Sequence, residues 1–225
     1  MTTALVTGAT KGIGLEIVKQ LVDRGLTVYL GGRNAERGEK AAADTGARFL
    51  QLDVTDPASI QRAAASLDRL DVLVNNAGII GGGKLNPPGE ADLTTIRETF
   101  ETNVFGVIAV TEALLPLLRA SGHGRIVNVS SSGGSLAAMA TSTSPPSLSY
   151  VPSKTALNAV TALYAKVEPG LRVNAACPGH CATDLNGHAG HRTPAQGAAT
   201  PVRLATLDDD GPTGGFFDDE GTVAW

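Results

Sequence analysis

Short runs of apolar and β-branched residues alternate along the chain with longer stretches whose apolar positions recur every three or four residues. Ala4-Leu5-Val6-Thr7 has the unbroken apolar character of a buried strand, and glycines follow it. From Gly12 to Arg24, the residues Ile13, Ile17, Val18, Leu21 and Val22 recur at helical spacing, and Gly25 closes the segment. The same reading predicts strands over 26–30, 47–52, 71–75, 125–129 and 171–177, with a short seventh available at 214–217. Helices are predicted over 35–44, from Pro57, over 93–119, over 149–167 and from Pro194. Pro116 is expected to bend or end the longest of them. Residues 131–149, rich in Ser, Thr, Gly and Pro, read as a long connection.

Strands alternating with helices specify an α/β fold, a doubly wound and mainly parallel seven-stranded sheet with helices on both faces and right-handed crossovers. No internal repeat or interdomain linker interrupts the alternation, so residues 1–225 read as a single domain.

Composition narrows the functional classes. The formal net charge of −4 removes the electrostatic case for nucleic acid. The acidic clusters at Asp208–Asp210 and Asp218–Glu220 read as solvated surface. No uninterrupted apolar run approaches a membrane-spanning length, and MTTALVTG lacks the features of a signal peptide. With two cysteines, the expectation is a reducing cytoplasm and no disulfide framework.

Two stretches carry candidate chemistry. The first is Gly8-x-x-x-Gly12-x-Gly14 between a strand and a helix, a pattern suited to a phosphate. Glycines let the main chain approach a pyrophosphate, while a helix N-terminus offers free N–H donors and partial positive charge. The second is Tyr150-x-x-x-Lys154, whose spacing places both side chains on one face of a helix. A free phenol has a pKa near ~10, and a neighbouring ammonium is expected to lower it toward working range. Alone, either stretch also fits a bland reading, a tight βα turn or a surface pair.

Their order with other residues resembles the short-chain dehydrogenase/reductase family. Thr7-Gly8-Ala9-Thr10-Lys11-Gly12-Ile13-Gly14 is similar to its cofactor loop, Asn75-Asn76-Ala77-Gly78 to its second hallmark and Tyr150-x-x-x-Lys154 to its third. Asp53 with Val54, Asn103, Ser131, and Pro178-Gly179 leading to Thr183 fall at matching places. GRNAERG, RIVNVSS and GPTGGFF resemble the carbonyl-reductase branch in particular.

The resemblance implies a Rossmann-type fold and a role for each matching residue. Gly8, Thr10, Gly12, Ile13 and Gly14 would hold the pyrophosphate. Asp53 and Val54 would meet the adenine, and Asn75 and Ala77 would line the adenosine side. Asn76 and Gly78 would brace that loop, with Gly78 at the cofactor's edge. Pro178, Gly179 and Thr183 would lie along the nicotinamide. Tyr150 would exchange a proton with the substrate oxygen, Ser131 would hold that oxygen, and Lys154 would assist Tyr150 and hold the nicotinamide ribose. Asn103 would keep a water linking Lys154 to solvent. Hydride would leave the pro-S face of the nicotinamide, with no metal.

Cofactor choice is read after the second strand, where NAD-specific sites place a carboxylate. Here Gly31-Gly32-Arg33-Asn34 stands instead, and Arg33 with Lys11 would favour the 2′-phosphate of NADPH. The expected activity is NADPH-dependent reduction of a ketone or aldehyde to an alcohol. An NAD-dependent alcohol dehydrogenase and a non-catalytic nucleotide sensor remain as alternatives, and the oligomeric state stays open. A zinc site at Cys177, Cys181, His188 and His191 is disfavoured by its tight spacing. Residues 180–191 read instead as a substrate loop, with 132–149 as the opposite wall.

Overall fold

Seven parallel strands form one sheet in the order β3-β2-β1-β4-β5-β6-β7. They are β1 Thr3–Val6, β2 Thr27–Gly32, β3 Arg48–Gln51, β4 Val72–Asn75, β5 Arg125–Val129, β6 Arg172–Ala176 and β7 Phe216–Phe217. The computed structural model describes residues 2–82, 86–141 and 145–225. Small parts of the 75–89 loop and of the 131–149 connection therefore lie outside the described residues.

The chain moves outward from β1 through β2 to β3, then returns to lay β4 on the other side of β1. That reversal opens a crevice beyond the carboxyl ends of β1 and β4, the place where doubly wound sheets bind ligands.

Strand residues alternate between two buried layers. Ala4 and Val6 of β1 face a cluster that includes Ile17, Val18 and Leu21 of α1 (Gly12–Asp23), Ala41 of α2 (Ala35–Thr45) and Val202 of a later helix. Leu5 faces the other way, onto a cluster with Ile60 and Ala63 of α3 (Pro57–Ala65) and the apolar stripe of a long helix. Burial of each such aliphatic side chain contributes roughly 1.5–3 kcal/mol. The unbroken apolar runs of the sequence thus reflect a sheet covered on both faces.

The long helix differs from expectation. It comprises α4 (Leu93–Phe100), a π turn at Glu101–Phe105 and α5 (Gly106–Ser121). Pro116 lies inside α5 and does not end it. Val110, Leu114, Leu115 and Leu118 hold the helix to the sheet around the proline, and Gly122 terminates it in the left-handed conformation. Leu93–Ser121, although interrupted by polar residues such as Thr111 and Glu112, is long and apolar enough to cross a membrane by length and composition alone. In this fold that apolar stripe is a core face of the second layer.

The 131–149 connection is also more ordered than expected. It contains a 3₁₀ turn at Ser132–Gly134 and a short helix, α6 (Leu136–Met139). The remaining helices are α7 (Tyr150–Val167) and α8 (Pro194–Ala205). The acidic clusters are engaged rather than merely solvated. Asp209 pairs with His123 and Arg125, and Asp219 pairs with Arg192 and accepts a hydrogen bond from Thr200.

Candidate active site

The glycine loop fits its neighbours closely. Gly8 has φ of +62°, and a Cβ there would fall 2.8 Å from Ala77 Cα. A Cβ at Gly14 would meet Asn76 Nδ2 at 2.4 Å and the Gly8 carbonyl at 2.7 Å. Thr7 locks the two loops together, because its hydroxyl accepts from the N–H groups of both Asn76 and Ala77 at 3.0 Å. Asn76 returns the contact by donating to the carbonyls of Thr7 and Gly8.

The helix behind this loop starts at Gly12 with no side-chain cap and no acidic residue in its first turn. Its leading N–H groups are therefore left for a ligand in the crevice, and the bare glycine backbone gives that ligand room. Thr10 packs its methyl against Gly32, where a Cβ would come within 2.4 Å, and Ile13 packs partly buried against the first core layer. A dinucleotide phosphate fits this cradle.

The later half of the chain supplies the reactive groups. Tyr150 starts α7, and its phenol is hydrogen-bonded with Ser131. Burial pushes that phenol up to about 12, against the smaller downward pull of the Ser131 hydrogen bond. The expected lowering by Lys154 is not what the geometry gives. Lys154 Nζ donates to the Val129 carbonyl at 2.7 Å and lies 5.7 Å from the centre of the Tyr150 ring. Burial in turn pulls the Lys154 ammonium down to about 8, so it remains mainly charged at neutral pH. Desolvation outweighs attraction across that distance, and the phenol stays neutral.

Asn103 lies in the π turn and is fully buried. Its amide accepts from the Ile79 N–H and donates to the Ile79 carbonyl, both at 2.9 Å, and donates to Ser153 Oγ at 3.0 Å. Its side chain is thus a clamp on the loop after β4, where the sequence suggested a water-holding role. Gly78 is the meeting point, since a Cβ there would sit 3.3 Å from Asn103 Oδ1 and 3.6 Å from Lys154 Nζ.

A family model described as short chain dehydrogenase matches residues 2–193. This chain belongs to the short-chain dehydrogenase family. It is 36% identical to a (-)-isopiperitenone reductase of Mentha piperita, across 95% of each chain. That alignment spans 298 positions against 225 residues here, so the relative carries internal stretches that this chain lacks. Among solved structures, salutaridine reductase from Papaver somniferum superposes with a TM-score of 0.85 at 32% identity, covering 97% of this chain and all of the other. An NADPH-bound carbonyl reductase from chicken fatty liver gives 0.87 at 30% identity, covering 100% and 99%.

In this short-chain dehydrogenase, several residues read from the sequence sit differently than expected. Asn75 is buried in the sheet and donates to Asn128 Oδ1 at 2.9 Å and Thr111 Oγ1 at 3.2 Å, so its side chain braces the interior and does not face the crevice. Lys11 is held by Asp184 at 2.5 Å, and Asp184 also meets His188. Thr183 packs over Gly12, at the start of α1. Asp53 accepts from the N–H and hydroxyl of Thr55 at the end of β3, and Val54 packs on Gly106 at the start of α5. Gly179, at φ of +73°, makes the turn after β6 against Arg192, and Pro178 accepts from Cys181 Sγ at 3.2 Å. Arg33 is exposed beyond the end of β2.

Three positioning residues escaped the sequence reading. Thr7 and Ser153 lie inside the quoted motifs, but only their partners reveal a role. Asn86 adopts φ of +73°, clamps Asp92 at the start of α4 and accepts from the Leu148 N–H, two residues before Tyr150. The Asn-Pro-Pro run was its available signal.

The Tyr150 shift is directly measurable. In alkaline titration of the folded chain, the phenolate signal lost on Tyr150→Phe should appear only near pH 12, above the ordinary value of 10.0. The fold favours the neutral phenol, an advantage held below about pH 10 and lost as pH rises through about 12. Ionisation of that tyrosine at or below pH 10 would contradict the buried geometry.

Proposed function

We propose that this enzyme reduces a ketone or aldehyde to the alcohol with NADPH, using Ser131, Tyr150 and Lys154, with Asn103 in a supporting role. One observation carries the reading. A neutral phenol, hydrogen-bonded with a serine hydroxyl and backed by a buried ammonium, stands beside a loop built to receive a phosphate. Carbonyl reduction needs an acid at the oxygen, and a phenol pushed up to about 12 holds its proton at neutral pH.

When bound, NADPH supplies the hydride for the carbonyl carbon. Ser131 and Tyr150 hold the substrate oxygen from their shared position, and Tyr150 delivers the proton as negative charge develops there. The Lys154 ammonium stabilises the phenolate left behind, and its anchor on Val129 sets its position. Gly8, Thr10, Gly12, Ile13, Gly14, Asp53, Val54, Ala77, Gly78, Pro178, Gly179 and Thr183 would line the cofactor, with Arg33 at its 2′-phosphate. The names of the similar proteins, an isopiperitenone reductase and an NADPH-bound carbonyl reductase, support this reading. Two free buried thiols accord with a cytoplasmic setting.

The test is NADPH oxidation across a panel of ketones and aldehydes, with deuterium placed at either face of the nicotinamide. Transfer of the pro-S deuterium to product is expected, at a rate that chelators leave unchanged. Transfer of the pro-R deuterium, or no turnover with any carbonyl, would sink the reading.

A further inference from the structure

The segment after the Pro178-Gly179 turn carries a carboxylate onto the glycine loop. Its base is closed where the Ala182 N–H donates to the Arg192 carbonyl at 2.8 Å and the Arg192 N–H to the His180 carbonyl at 3.1 Å. From this base Thr183 leads into a 3₁₀ turn, Asp184–Asn186. The Asn186 side chain ties the turn down, accepting from the Thr183 N–H at 3.3 Å and donating to the Cys181 carbonyl at 2.9 Å. Thr183 in turn lies against the glycine loop, since a Cβ at Gly12 would meet its methyl group at 3.6 Å.

Asp184 is thereby held beside Lys11. Its Oδ2 accepts from Lys11 Nζ at 2.5 Å, and its Oδ1 lies 2.9 Å from His188 Nε2. Gly187 and His188, with φ of +61° and +64°, turn the chain back toward Asp184. Lys11, and His188 to a smaller degree, hold the Asp184 carboxyl below the ordinary carboxylate range, so it is charged at neutral pH. The two cations expected to favour a 2′-phosphate are thus unequal. Arg33 has no ion-pair partner among the described residues, whereas Lys11 already holds a carboxylate. The Lys11 and Asp184 side chains are 54% and 53% exposed, so a phosphate arriving from solvent can reach both.

We infer that Asp184 is a specificity-determining residue that competes with the cofactor's 2′-phosphate for Lys11. A ligand carrying that phosphate takes the ammonium and frees the Asp184–Asn186 turn from the glycine loop. A ligand without it leaves the pair closed. Asp184 accordingly holds the preference for NADPH below what Arg33 and Lys11 would give together. The assignment rests on the NADPH reading above, and the test separates the two.

The test reads binding and needs no turnover. Adenosine 2′,5′-bisphosphate and adenosine 5′-phosphate are titrated calorimetrically, at low ionic strength, into the parent chain, Asp184→Asn, Lys11→Met and the double variant. Asp184→Asn should tighten the bisphosphate by about two- to fivefold, the scale on which exposed ion pairs act, and leave the monophosphate unchanged. In the Lys11→Met background the same substitution should gain less, because no pair remains to be broken. An equal gain in both backgrounds would mean simple repulsion of the phosphate by Asp184. That result overturns the assignment, as does no gain in the parent chain or a gain shared by the monophosphate. Each leaves the NADPH reading standing if the bisphosphate still binds more tightly than the monophosphate. A bisphosphate that binds no better than the monophosphate in every variant overturns the NADPH reading, and the assignment with it.

Discussion

Tyr150→Phe is expected to slow carbonyl reduction by about 10²–10⁴-fold while leaving NADPH affinity near that of the parent enzyme. The variant removes the one acidic proton held at the substrate oxygen and keeps the ring that fills the cleft. Ser131 cannot replace it, since an aliphatic hydroxyl is far too weak an acid to protonate a developing alkoxide at neutral pH. Cofactor binding is spared because Lys154 is anchored to the Val129 carbonyl and not to the phenol, so the ammonium keeps its place. Single-turnover rates, with NADPH affinity measured from its fluorescence, separate the two effects. A kcat near the parent value in Tyr150→Phe would make the phenol a bystander.

The preference for NADPH over NADH is expected to be at least tenfold, and Arg33→Ala should erode it. Past the end of β2, Gly31-Gly32-Arg33-Asn34 offers no carboxylate to repel a 2′-phosphate, and Asn34 is occupied in capping α2 by accepting from the Arg37 N–H. The exposed guanidinium of Arg33 has no ion-pair partner among the described residues and can pair with a phosphate in two-pronged geometry. A hydrogen bond to a charged group is worth roughly 1.5–3 kcal/mol, or about 10–150-fold. Lys11 can add to this only by leaving Asp184. That pair is exposed and screened by solvent, so a phosphate is able to displace it. The ratio of kcat/KM for the two cofactors measures the preference. Equal efficiencies would mean that Arg33 does not reach the phosphate.

Most of the fold was legible along the chain because a parallel sheet covered on both faces writes itself as local patterns. Buried strands are unbroken apolar runs, amphipathic helices repeat at 3.6 residues, and glycines mark the turns between them. The predicted strands and helices accordingly match the observed ones to within a few residues. The motifs were legible for a related reason. Gly8 and Gly14 are constrained by main-chain approach, a requirement that few other residues meet.

The directions of polar side chains were not legible. Asn75 and Asn76 are neighbours of the same type, yet one is buried against Asn128 and Thr111 and the other ties the Thr7 and Gly8 carbonyls. Strand alternation sends them to opposite sides, and only the packed sheet says which side is interior. The Tyr150 and Lys154 spacing determined that both share a helix face. Whether the ammonium touches the phenol depended on the Val129 carbonyl, a group 25 positions away that competes for the same protons. Pro116 survived inside a helix because buried leucines on either side hold that helix to the sheet. Local propensity and spacing were set by the sequence itself. Desolvation and the competition among distant hydrogen-bond partners came into being only when the layers closed, because both depend on which atoms exclude water from one another.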